Sequence, residues 1–128
     1  MPSNYEIIKE NRDFVRLYRR GRSCVDPLLV TYLSRNRLGK TRVGITATKK
    51  VGGAVERNRA KRVIRAALRE QDFESIKGCD IVFVARTRTP LSKSTELAPI
   101  IQKHFERLLK PRPKKTDKSA ENKKNTNA

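Results

Sequence analysis

The chain has no tryptophan, one histidine, two cysteines and only 13 acidic residues in 128. Each shortage excludes something. Cys24 and Cys79 are too few for a disulfide framework, and no C-x-x-C or Cys/His cluster has the spacing of a zinc site. No apolar run approaches the roughly 20 residues of a membrane span. The opening MPSNYEIIKENRD lacks the apolar stretch of a secretory signal. No carboxylate pair accompanies the basic residues, so no general acid/base couple or two-metal site is visible. The lone histidine, His104, is expected at the surface or at a boundary. Asp72, Glu74 and Asp80 read as solubility or capping residues.

What is abundant is positive charge: 31 Lys and Arg give a net charge of +18. It is unevenly placed. Residues 35–69 hold 12 basic side chains against one acid, Glu56, while residues 70–109 are balanced at six and six. Such concentration produces a local field able to neutralise a nucleic-acid backbone. A basic helix on a membrane surface would need an uncovered apolar face. Residues 110–128 add seven basic and two acidic side chains with two prolines and few apolar residues. They are expected to form a disordered tail, either simply solvated or in weak contact with phosphates. Residues 1–109 are expected to form one domain.

The hydrophobic pattern gives the order α-β-β-α-β-α, an α+β sandwich of one sheet with helices. Arg12–Arg20 reads as a helix capped by Asn11 and closed by Gly21, with Phe14, Leu17 and Tyr18 on one face. Leu28–Ser34 and Arg42–Thr48 read as an antiparallel hairpin around a polar turn. Val55–Glu70 is a long helix and Cys79–Ala85 an apolar strand. A last helix is expected from Thr95–Glu96 to Leu109, since Pro99 fits only near its first turn. Its core-facing set would be Ile100, Ile101, Phe105, Leu108 and Leu109. Gly52-Gly53 reads as a flexible turn or, less strongly, a phosphate-cradling loop.

The helix Val55–Glu70 carries the chemistry. Ala60, Val63, Ile64, Ala67 and Leu68 gather on one stripe, and Arg57, Asn58, Lys61, Arg62, Arg65 and Arg69 on the other, with Arg59 at the margin. Like charges at i, i+4 repel by a few tenths of a kcal/mol per pair, and three pairs occur in succession. An anionic partner would relieve this; a merely solvated face usually mixes signs. Arginine predominates, and guanidinium groups contact phosphate in a planar, bidentate way. Asn58 is either an ordinary surface amide or a partner for a base edge, a ribose hydroxyl or a metal-bound water.

The run Arg42-Val-Gly-Ile-Thr-Ala-Thr-Lys-Lys-Val-Gly-Gly-Ala-Val-Glu-Arg-Asn-Arg-Ala-Lys-Arg-Val-Ile-Arg closely resembles the signature of bacterial ribonuclease P protein components. Asp13-Phe14, Gly21 and the strand Asp80–Arg86 follow in that family's order, so the resemblance spans residues 5–109. It implies an αβββαβα-type fold with a four-stranded sheet, three helices and a left-handed βαβ crossover around the Arg-rich helix. The fourth strand would come from Ser23–Val25 or from a divided hairpin.

The resemblance further implies a cytoplasmic subunit of an endoribonuclease whose catalytic centre is RNA with Mg²⁺. The protein itself would hold no catalytic residue and no certain metal site. Its partners would be the ribonuclease P RNA and precursor tRNA, with neither DNA nor membrane. Carried over by position, Arg57, Asn58, Arg59, Lys61, Arg62, Arg65 and Arg69 would bind the catalytic RNA. Phe14, Tyr18, Val30, Tyr32, Thr46 and Lys50 would line a cleft for the 5′ leader. Composition alone reads Phe14 and Tyr18 as core, and the resemblance reverses that at least for Tyr18. Two other readings remain: a scaffold RNA binder such as a small ribosomal protein, which needs no single-strand groove, and a helix-turn-helix DNA binder, disfavoured by the strands flanking the basic helix.

Overall fold

A computed structural model describes residues 5–110. The elements, in chain order, are β1 (Glu6–Ile7), α1 (Asn11–Arg20), β2 (Arg22–Asp26), β3 (Leu29–Arg35), β4 (Arg42–Thr46), α2 (Ala54–Leu68), β5 (Cys79–Ala85) and α3 (Ser94–Leu109). Short 3₁₀ turns at Glu74–Ile76 and Thr89–Leu91 complete the connections. Apart from Lys110, the tail expected to be disordered lies outside the described residues.

The sheet order is β1-β4-β5-β3-β2, which overturns the hairpin expected between Leu28–Ser34 and Arg42–Thr48. β5 lies between those two strands, antiparallel to β3 and parallel to β4. The reason is the burial of β5. Every residue from Cys79 to Ala85 is buried except half-buried Val84, and a strand apolar on both faces belongs in the middle of a covered sheet. The real hairpin is β2–β3, turned at Pro27-Leu28, where the Leu28 N–H donates to Asp26 Oδ1 at 2.9 Å. β2 is the strand anticipated at Ser23–Val25. β1, parallel to β4, is a fifth strand too short to leave a periodic signal. The parallel neighbours β4 and β5 are joined through α2, so the crossover around the Arg-rich helix is present.

Strand alternation sends Leu29, Thr31, Leu33, Val43, Ile81 and Phe83 to one face, where α2 and α3 close the larger core over Ile64, Leu68, Leu97, Ile101 and Phe105. The other face holds a small cluster of Ile8, Leu17 and Val82, with Phe14, Tyr32 and Val84 packed against it under α1.

Three local expectations are corrected. Glu10, not Asn11, is the residue before the first helical turn, and it makes no side-chain cap. α3 starts at Ser94, held by the Lys93 N–H donating to Glu96 Oε1 at 2.8 Å. Pro99 therefore sits in the second turn, where it removes one helical donor on the exposed side. His104 is buried, with Nδ1 2.7 Å from Thr31 Oγ1; Leu97 joins the core-facing set, against which Ile100 and Leu109 pack half-buried. A histidine inside a helical apolar stripe is buried by the stripe, and Thr31 on the sheet supplies its hydrogen bond.

Candidate nucleic-acid interface

α2 buries Ala60, Ile64, Ala67 and Leu68, with Val63 half-buried beside them. The opposite face is cationic. Asn58, Arg62, Arg65 and Arg69 stand exposed at i, i+4, i+7 and i+11, a line about 16 Å long at 1.5 Å per residue. Arg59 is also exposed, while Arg57 and Lys61 are half-buried. Arg57 turns back to donate from Nη1 to the Gly52 carbonyl at 3.2 Å, so it is partly committed to the loop that launches the helix. None of the α2 cations belongs to an ion pair among the described residues. No described carboxylate at ion-pair distance neutralises them.

α1 lies across the strands of the other face. Phe14 packs on Gly44 of β4, and Tyr18 meets Tyr32 of β3 edge-on with centroids 5.1 Å apart. The missing side chain of Gly44 is what lets the ring lie so close: a Cβ there would stand 2.6 Å from the Phe14 ring and push it aside. One flank of α1 is pinned by charge. Asp80 is 1% exposed and takes two hydrogen bonds from Arg42, at 2.8 and 2.7 Å, and one each from Arg16 and Asn36, at 3.0 and 2.8 Å. Asp13, buried on α1, pairs with Arg16 at 3.1 Å and Arg42 at 3.5 Å. Burial alone would raise the Asp80 pKa, but the hydrogen bonds from Arg42 and Asn36 and the charges of Arg42 and Arg16 outweigh it, holding the carboxyl below its usual range. The surface role expected for Asp80 is thus replaced by a buried anchor. Sequence separation hid it: the partners lie 38, 44 and 64 residues away.

The other flank of α1 is open. Pairing puts Val25, Val30, Val84 and Thr46 in one row across four strands, roughly 14 Å at about 4.8 Å per strand. α1 leaves this row partly uncovered: Val25 is 66% exposed, and Val30, Val84 and Thr46 are half-buried. Tyr18, 41% exposed, and half-buried Phe14 form the wall. Five of the six residues expected in the cleft, Phe14, Tyr18, Val30, Tyr32 and Thr46, therefore share this face. Lys50 does not lie on the sheet; it stands exposed in the turn beyond the end of β4. Val84 and Val25, absent from the expected set, lie in the same row. Strand parity marks Val84 once β5 is known to be central, whereas Val25 requires the β2–β3 register.

Oxygen donors for a cation are scarce here. No group of three or more His, Cys, Asp or Glu capable of holding a metal occurs among the described residues, and α2 offers Asn58 amid guanidinium groups. This donor set does not suit Mg²⁺, a hard cation that takes oxygen ligands. No described helix is long and apolar enough to cross a membrane.

The family model described as Ribonuclease P matches residues 1–110. The chain belongs to the ribonuclease P protein family. A ribonuclease P protein component of Clostridium botulinum (strain Langeland) is 45% identical over 80 residues, 62% of this chain and 72% of the relative. That of Alkaliphilus metalliredigens is 38% identical over 97 residues, 76% and 86% of the two chains. The crystal structure of the Staphylococcus aureus RNase P protein superposes with a TM-score of 0.67 at 31% identity, covering 78% of this chain and 92% of the other. The Thermotoga maritima protein, at 24% identity, shows the same fold with a TM-score of 0.67, over 79% and 96% of the two chains. As a ribonuclease P protein, the chain is a subunit of an endoribonuclease ribonucleoprotein that acts in tRNA 5′ processing. Residues that carried the resemblance have physical roles in this chain: Asp13, Arg42 and Asp80 are one charge network, and Phe14 and Gly44 are one contact.

Proposed function

We propose that the cationic face of α2 binds the catalytic RNA of ribonuclease P, and that the open row beside α1 takes the 5′ leader of precursor tRNA, in the cytoplasm. The RNA with Mg²⁺ carries the hydrolysis; the protein positions. Arg62, Arg65 and Arg69 meet phosphates, relieving the like-charge repulsion along the helix. Arg57, Arg59 and Lys61 add to the same field, and Asn58 offers a neutral donor and acceptor among them. In the groove, Tyr18 and Tyr32 present ring surface against which unpaired bases stack with little sequence preference. Phe14, Val30 and Val84 exclude water beneath them. Thr46 and Lys50 follow the backbone at the β4 end.

The observation that carries this reading is the half-open row with its aromatic wall, which a scaffold RNA binder does not need. The test is reconstitution with the catalytic RNA and an assay of leader removal. The holoenzyme should bind precursor tRNA more tightly than mature tRNA. Tyr18→Ala should cut that preference by roughly five- to 150-fold, the equivalent of one stacked base at about 1–3 kcal/mol, while Tyr18→Phe should retain it. Equal affinities for the two tRNAs would defeat the leader assignment.

A further inference from the structure

Where α1, β2, β3 and α3 meet, a shallow hollow of about 330 Å³ is rimmed by Arg20, Arg22, Arg35 and Lys110 over a floor of Leu33 and Leu108. It shares no residue with the α2 face or the leader row. Two comparable hollows elsewhere each mix charges: one carries Glu6, Asp72 and Glu74 beside Lys40 and Lys77, the other Asp26 and Glu106 beside Lys103 and Arg107. The corner hollow has no carboxylate in its lining.

Arginines at helix ends have an ordinary use, and Arg22 shows it. Its Nη1 donates to the carbonyl of Leu108 at 2.7 Å and to that of Lys110, holding the end of α3. The two helix C-termini at this corner, of α1 and α3, contribute about half a negative charge each, against four whole positive ones, leaving about +3. Arg20 and Arg35 make no ion pair and no side-chain hydrogen bond among the described residues, so helix-end neutralisation does not account for them. The chain also continues from Lys110 into a segment with seven basic and two acidic residues across 110–128.

We propose that the corner of Arg20, Arg22, Arg35 and Lys110 is a second phosphate-binding site, occupied in the holoenzyme by a backbone phosphate of the catalytic RNA. Arg20 and Arg35 reach the phosphate oxygens as planar forks, and Arg22 is prepositioned between them by the α3 carbonyls. An RNA strand seated here meets the protein at the opposite side of α3 from α2, so the two contacts together fix its orientation.

The test uses the full chain and the catalytic RNA. Arg20→Ala/Arg35→Ala removes two exposed side chains that hold nothing in the fold. Lys77→Ala/Lys103→Ala removes the same charge elsewhere and serves as the control. Log affinity is measured against log salt, where each lost phosphate contact lowers the slope by about 0.7–0.9. With a single phosphate in the corner, the corner variant should lose about 0.7–0.9 units of slope and the control essentially none. A parallel arm titrates inorganic phosphate and reads thermal unfolding. An unchanged RNA slope, with phosphate stabilising the control but not the corner variant, would keep the phosphate site but assign it to a free anion. Equal behaviour of the two variants in both arms overturns the proposal. The preference for precursor over mature tRNA should be unchanged in the corner variant, which separates this result from any failure of the leader groove.

Discussion

The two faces of the sheet use the same strands and the same alternation, yet one is closed and the other half open. Over the closed face, α2 and α3 lie side by side and their stripes seal Ile81, Phe83, Leu29 and Leu33 completely. Over the open face, a single ten-residue helix crosses the strands and covers only the middle row, Tyr32, Val82 and Gly44. Hydrophobic burial suffices to place two helices on a wide apolar face. One short helix on a narrow cluster has less apolar area to hold it, and here an ion-pair network takes over the positioning. A charge network fixes direction as well as contact, since Arg42 binds Asp80 through two parallel bonds. The same asymmetry leaves the row Val25–Val30–Val84–Thr46 uncovered. The open face therefore leaves a partly apolar row accessible, while over the closed face only the outer, cationic side of α2 is accessible.

The sharpest way to break this comparison is Asp80→Ala. It leaves Arg42 and Arg16 with Asp13 as their one remaining carboxylate among the described residues. Removing one partner of a fully buried pair costs about 3–5 kcal/mol, an upper bound here because Arg16 is partly exposed. Urea unfolding should register that loss. Because the folded Asp80 pKa lies below the unfolded value near 3.8, its stabilisation is complete above that value and is lost as pH falls through the folded pKa. Wild-type stability should accordingly decline below about pH 4, and Asp80→Ala should show a shallower decline there. If Asp80→Ala unfolds no earlier than wild type, α1 is held by its apolar contacts alone.

Gly44→Ala should act more gently and on function more than stability. The new Cβ meets the far end of the Phe14 ring, which can move, so the cost should be about 1 kcal/mol, the low end for overpacking. The displaced ring shifts the groove wall, and the precursor-to-mature affinity ratio should fall several-fold. A normal ratio with a normal melting temperature would show that the wall position is not critical.

The smallest effect belongs to the closed face. Burial lowers the His104 pKa, with the charge of Asp26 raising it and that of Arg107 lowering it. A depressed histidine pKa means that the fold favours the neutral ring, so its contribution is present above about pH 6.5 and lost as pH falls through the folded pKa. Thermal unfolding should occur at lower temperature at pH 5 than at pH 7.5, and His104→Gln should flatten this difference. No flattening would mean that the pH sensitivity resides elsewhere.

Much of the molecule was legible before any coordinates. The stripe of Ala60, Ile64, Ala67 and Leu68 and the opposing arginines follow from helical periodicity, which needs only neighbours within two turns. The pattern of residues alone had placed Phe14 and Tyr18 in the core, and the family motif pointed the other way for Tyr18; in the structure Tyr18 is 41% exposed, while Leu17 between them is fully buried. Failures came wherever the answer depended on a distant partner. The apparent hairpin of β3 and β4 was read from a polar turn between two β-rich runs, and that local signal is blind to a third strand arriving 45 residues later. Asp80 looked like a surface acid because its three cationic and amide partners are scattered along the chain.

By itself, then, the sequence determined the helices, the address of the positive charge and the family, all of which are carried by spacing within short windows. Only the tertiary structure decided which strand is central, which acid is buried, and which row of the sheet α1 leaves open. Those outcomes depend on pairing between segments 35 to 65 residues apart, where the free energy of the assembled sheet outweighs any local preference.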